Sequence, residues 1–131
     1  MLDGWTRVNI AGKPAAVFDP PGGPSRYGVL FLHPVGGELP SDSPAYTAAL
    51  ARHGLACCAP WGARAWWVDR VCPEFDAAVT AERHLLDAVL PWMRNRWGLT
   101  PRSIAAAGIS MGGQGAVRLG FRHPDVFPVV A

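Results

Sequence analysis

Ser110 stands between two glycines in Gly108-Ile109-Ser110-Met111-Gly112. The run before it, "SIAAAG", is small and apolar as a buried strand is, and the run after it, "MGGQGAVRLGFRH", reads as a helix ended by His-Pro. A serine at so sharp a strand-to-helix turn must take a strained backbone conformation, and a side chain at position 108 or 112 would strike neighbouring backbone. Glycine at both places removes the collision. The strain lifts the hydroxyl above the sheet, where the unpaired N–H groups and positive dipole end of the helix beginning at Met111 would stabilise a developing oxyanion. This is the nucleophile-elbow arrangement, and its chemistry is acyl transfer through a covalent serine intermediate. Nucleotide binding fits worse: Gly108, Gly112, Gly113 and Gly115 do not follow G-x-G-x-x-G, a motif that should open a domain.

A second candidate part is "LFLHPVGGELP", a strand running into a glycine loop at 33–38. Such a loop supplies the second oxyanion donor at sites of this type. Pro34 has no N–H to give, which leaves Val35 or Gly36. The nucleophile also needs a base and a carboxylate to orient it. His123 lies 13 residues along a helix from Ser110, roughly 20 Å away at 1.5 Å per residue, too far to serve. It is read as satisfying carbonyls at that helix end. His53 and His84 fall near helix ends, with surface or packing roles. His33, at a strand end near the elbow, is expected to hold the oxyanion loop by hydrogen bonds.

These parts need a scaffold, and the chain spells one out. "WTRVNIAGKPAAVFDP" reads as two short strands around "AGKP", and "PPGGPS" breaks the pattern. "YGVLFLH" is the continuous apolar run of a strand covered on both faces. "SDSPAYTAALARHG" is a helix with Ser43 as cap, Pro44 at its first position and Gly54 as its left-handed stop. "LACCAP" is the next strand. Residues 60–77 hold Trp61, Trp66 and Trp67 without a clear period and form a long aromatic loop. A helix runs from about Thr80 to a stop at Gly98, with Pro91 bending it. "VFPVVA" begins another strand. Strands alternating with helices predict an α/β fold with a largely parallel sheet flanked by helices.

The chain has 131 residues, half of them apolar and 17% charged, which suits one folded domain. A net charge of +2 with no basic run gives no case for nucleic acid. Apolar runs fall far short of the roughly 20 residues that span a bilayer, so no membrane partner is expected. The start, "MLDGWTRVNI", has no signal-like h-region, and a cytoplasmic location is the default reading. Cys57, Cys58 and Cys72 lack metal-ligand spacing, so neither a metal nor an organic cofactor is expected. Cys57 and Cys58 should point to opposite sheet faces as small apolar residues.

The run "LLDAVLPWMRNRWGLTPRSIAAAGISMGGQGAVRLGFRHPDVF" resembles the Putative esterase family of α/β-hydrolases, of the esterase D and antigen 85 type. "LHPVGGE" and "WWVDR" sit where that family has its oxyanion loop and an aromatic active-site loop. The resemblance implies an α/β-hydrolase fold in which residues 1–131 form a partial domain, with oxyanion loop 33–38, aromatic loop 60–77 and elbow 108–112. It implies Ser110 as nucleophile, the Met111 N–H as one oxyanion donor, and His33, Trp66, Trp67 and Asp69 along the substrate pocket. The family places its acid and then its His after strands that follow the elbow, so the domain is expected to be cut before its last strands, with the acid and His outside it. The expected function is hydrolysis of a small carboxylic ester. An acyltransferase, or a noncatalytic binding or scaffold protein, are the alternatives. The exposed C-terminal strand is expected to permit self-association.

Overall fold

The computed structural model describes residues 1–23 and 26–131. Pro24 and Ser25, part of the expected break at "PPGGPS", lie outside the described residues. Strands β1 (Trp5–Ile10) and β2 (Lys13–Phe18) form a hairpin. Its two-residue turn has positive φ at both Ala11 (49°) and Gly12 (84°), which matches the twist of the flanking strands. Asn9 stabilises the turn by accepting the Gly12 N–H at 2.8 Å.

Strands β3 (Gly28–Leu32), β4 (Ala56–Pro60) and β5 (Ile104–Gly108) complete a five-stranded sheet of order β1-β2-β4-β3-β5. The pairs β4–β3 and β3–β5 are parallel, whereas β1–β2 and β2–β4 are antiparallel. The parallel character is therefore confined to the three strands linked by helical crossovers, as connection length requires. One consequence matters for the site. The ends of β3, β4 and β5 share an edge with the start of β2: Leu32 pairs with Gly108, and Ala15 with Pro60.

Alternation along the strands builds two cores. One face presents Val17, Leu30, Leu32, Cys58 and Ala106 to Leu85, Leu90, Met93, Met111 and Leu119 of the helices. The other presents Ala16, Phe18, Phe31, Cys57 and Ala59 to Leu50 of α1 (Pro44–Arg52). Cys57 and Cys58 fall on opposite faces as the sequence implies. Burial pushes both thiols up, Cys58 to about 12, so neither is a thiolate at neutral pH.

The helix punctuation is that of the sequence. Ser43 Oγ accepts the Tyr46 N–H at 3.4 Å, Pro44 opens α1, and Gly54 (φ 60°) follows its end. Thr80 caps α2 (Ala81–His84) by accepting the Arg83 N–H at 3.1 Å. A π turn (Leu85–Val89) continues it into α3 (Leu90–Trp97), which stops at Gly98 with φ 62°. The widened turn is how the chain accommodates Pro91: the Leu90 N–H reaches back five residues to the Leu85 carbonyl just before the proline removes a donor.

Helix α4 (Met111–Arg122) is tied to α2 by the buried carboxylate of Glu82. It accepts from Arg118 at 2.8 Å and Arg122 at 3.1 Å, and the His123 ring stands 3.4 Å away. His123 therefore faces Glu82, a correction to its expected role on helix-end carbonyls. A buried carboxylate must collect donors, and these three lie within reach at one helix end. Beyond α4 the chain returns to the edge of β5. The Ala106 N–H donates to Val129 O at 3.1 Å, and the Gly108 N–H to Ala131 O at 3.0 Å, so where a further strand is expected the chain makes a single parallel bridge, Val130 with Ala106. Among the described residues no helix is long and apolar enough to cross a membrane.

Asp19, just after β2, accepts from Arg96 at 2.6 Å and from the Trp97 indole at 2.7 Å, joining the hairpin to α3. The Arg96 hydrogen bond, helped by Trp97, holds its carboxyl below the ordinary value despite partial burial. A carboxylate with a depressed folded pKa stabilises the fold above its unfolded pKa near 4, and that stabilisation is lost as pH falls through the lower folded value. Because the pair is half exposed, Asp19→Asn is expected to cost only about 0.5–1 kcal/mol at pH 7. In urea titrations the gap between variant and parent should close as pH is lowered below about 4.

Candidate active site

Strand β5 ends at Gly108 and α4 begins at Met111, leaving two residues for the turn. Ser110 takes φ 54°, ψ −116°, a conformation an L side chain rarely adopts and one that costs of order 1–3 kcal/mol. Its side chain is exposed at the carboxyl edge of the sheet.

The two glycines are required by backbone packing. A Cβ on Gly112 would land on the Leu32 carbonyl oxygen and come within 2.9 Å of His33 O. A Cβ on Gly108 would overlap the Gly112 carbonyl and lie 2.8 Å from Gly113 N. The first turn of α4 therefore rests directly on the end of β3, and this brings the loop after β3 beside Ser110. The Gly112 N–H is spent on Ile109 O at 2.9 Å and the Gln114 N–H on Ser110 O at 2.9 Å. The Met111 N–H has no acceptor among the described residues.

In the loop 33–38, the Pro34 carbonyl accepts the Gly37 N–H at 2.9 Å, and Gly37 has φ 80°. The turn leaves the backbone N–H groups of Val35 and Gly36 without acceptors among the described residues. Val35 is half exposed, and the Glu38 carboxyl group folds back against the Gly36 Cα.

His33 is buried, and both its ring nitrogens are engaged. The Gly62 N–H donates to Nε2 at 3.0 Å, which puts the ring proton on Nδ1, 2.7 Å from Pro34 O. This ring joins the loop 33–38 to the loop 60–77. Trp67 strengthens the junction: its indole N–H donates to His33 O at 3.3 Å, and its ring stands edge-on to His33 with centroids 5.1 Å apart.

Trp67, expected along the substrate pocket, is instead wholly buried in the core, wedged where Gly62 and Gly115 leave no room for a Cβ. Asp69 is likewise turned to structure, accepting the Thr80 hydroxyl at 2.8 Å next to the α2 cap. Trp66 is exposed, over a surface depression it shares with Arg64, Val68 and Arg70. Ala63, Trp66 and Trp67 all have positive φ, and no Gly or Asn at these positions signals it in the sequence. His84 is buried beside Phe75, and burial holds its pKa down.

The model of the family described as Putative esterase matches residues 45–131. The chain belongs to this family. Among solved structures, an S-formylglutathione hydrolase from Agrobacterium tumefaciens is similar at TM-score 0.75 and 15% identity, over 99% of this chain and 58% of that one. FphF, a fluorophosphonate-binding serine hydrolase of Staphylococcus aureus, gives TM-score 0.77 at 15% identity, over 96% of this chain and 55% of that one. MPT51 (FbpC1) of Mycobacterium tuberculosis gives TM-score 0.68 at 26% identity, over 96% and 49%. The fold is the expected α/β-hydrolase fold, present in part: the chain spans less than two thirds of the length of these structures. No curated protein matches it.

The close packing at Gly112 sets a sharp expectation. Gly112→Val forces a branched side chain into the β3 carbonyls and should cost well over 3 kcal/mol, beyond what ordinary substitutions do. The variant should yield little folded protein, or melt far below the parent by circular dichroism. A variant that melts like the parent would contradict the close approach.

Proposed function

We propose that the intact protein is a carboxylic ester hydrolase that works through an acyl-enzyme on Ser110. The observation that carries this reading is the backbone of Ser110. Strain of this kind, fixed by Gly112 against the neighbouring strand and by Gly108 against the first turn of α4, has no evident use in a scaffold, whereas it presents a hydroxyl beside a helix N-terminus whose Met111 N–H has no acceptor among the described residues. Ser110 Oγ would attack the ester carbonyl, forming a tetrahedral oxyanion held by the Met111 N–H and by that of Val35 or Gly36. Collapse would expel the alcohol and leave an acyl ester on Ser110. Water would then release the acid; an alcohol in its place would make the protein an acyltransferase.

The proton that leaves Ser110 needs an acceptor, and none of the four histidines is placed to be one. His33 has both nitrogens engaged, His123 faces Glu82, His84 is buried at Phe75, and His53 caps α1. We therefore assign the base and its carboxylate partner to residues outside 1–131, at the same sheet edge. The segment pairing with β5 leads in that direction.

Protein that carries the coding sequence following Ala131 is expected to be labelled by a fluorophosphonate at Ser110 and to turn over short activated esters. Ser110→Ala should abolish labelling and lower kcat by at least about a thousandfold. The 131-residue chain alone should hydrolyse the same esters negligibly. Brisk Ser110-dependent turnover by the short chain would overturn the assignment of the base, and labelling that survives Ser110→Ala would overturn the nucleophile. Intact protein that is folded but neither labelled nor active would favour the noncatalytic reading.

A further inference from the structure

A cavity of about 210 Å³ opens at the carboxyl edge of the sheet, with Arg7, Ala16, His33, Leu39, Ala59 and Trp61 among its walls. Four features make it more than a packing defect. Its floor is made of small residues: Ala16 and Ala59 pair across β2 and β4, and their short side chains leave the space. Its rim is fixed, because the Trp61 N–H donates to Pro14 O at 2.9 Å and His33 clamps the neighbouring Gly62 N–H. One wall belongs to the loop 33–38, which also carries the candidate oxyanion donors Val35 and Gly36. The remaining feature is charge. Arg7 stands across β1–β2 from Ala16, and among the described residues no carboxylate or carbonyl is paired with it. The nearby acid, Glu38, lies against Gly36 and is not part of the lining.

We propose that this cavity is a substrate subsite for an apolar arm that ends in a carboxylate. The alanines, Leu39 and the Trp61 face would take the arm. The Arg7 guanidinium would pair with the carboxylate, in the planar two-point geometry that guanidinium favours. Pockets for whole drug-sized ligands run about 300–1,000 Å³, so a space of this size suits one arm of a molecule. The position agrees with that. Strands in a sheet are about 4.8 Å apart, which puts the β4 and β2 walls two to three spacings from the β5 turn, roughly 10–14 Å from Ser110, with the Arg7 backbone on β1 about one spacing further. An ester with its carbonyl at Ser110 reaches the cavity over the loop 33–38 with an arm of about that length. The proposal rests on the ester-hydrolase reading for the arm's origin, but the pocket's choice of charge does not depend on turnover.

Binding of phenylacetate and of its uncharged isostere phenylacetamide to the intact protein tests it, followed by the NMR shifts of the Trp61 indole, assigned with Trp61→Phe. Phenylacetate is expected to bind saturably at Trp61 and at least fivefold tighter than the amide. Arg7→Gln, a change at an exposed residue, should reduce its affinity to that of the amide while the melting temperature stays put. Ala16→Val, which narrows the floor, should weaken both ligands. Equal binding of acid and amide, indifference to Arg7→Gln, or shifts confined to other tryptophans would each overturn the subsite. Fluorophosphonate labelling in the same preparations separates the two readings: Ser110 labelled without charge-selective binding removes only the subsite. Charge-selective binding without labelling removes only the hydrolase.

Discussion

Helix α4 begins so close to the end of β3 that a single methyl group at Gly112 would occupy the space of the Leu32 carbonyl oxygen. Everything distinctive about this edge of the sheet follows from that contact. It fixes where the helix starts, and so forces two residues to reverse the chain between β5 and α4. Ser110 is left in a conformation that only the surrounding packing maintains. The contact also sets the first turn of α4 against the loop after Leu32, an arrangement neither element would hold alone.

The second constraint is His33. A neutral imidazole with one nitrogen donating and the other accepting is suited to joining two loops, and here it joins 33–38 to 60–77 through Pro34 and Gly62. Trp67 backs it from within the core, gripping the His33 carbonyl and filling the space left by Gly62 and Gly115. Within the same long loop Ala63, Trp66 and Trp67 take positive φ, a conformation L side chains rarely adopt. The effect is a fixed rim: the loop 33–38 is held between α4 on one side and the aromatic loop on the other.

Away from the rim, charged groups tie elements that the sheet does not connect. Glu82 gathers Arg118, Arg122 and His123 at the far end of α4, and Asp19 joins the hairpin to α3. Both ends of α4 are thereby fixed, one by glycine packing and the other by a buried carboxylate. A helix held at both ends can keep a strained residue at its start.

The sequence by itself determined the elements and the turn at Ser110, because both are written in local signals. Strand and helix periods, Ser43 and Thr80 as caps, Gly54 and Gly98 as stops, and Gly108 and Gly112 around Ser110 each act within a few residues of themselves. It also carried enough of the family pattern to name the fold. Partnerships between distant residues were decided by the tertiary structure. Trp67 and Trp66 are neighbours in the chain, and nothing local says that one is buried and the other exposed. Glu82 reads as an ordinary first-turn acid until packing removes it from water and obliges it to collect the arginines of α4. Arg7 and Ala16 become walls of one cavity only when β1, β2 and β4 pair in register. Local chemistry can specify a turn, but burial, and the pairing it enforces, exists only once the chain has closed on itself.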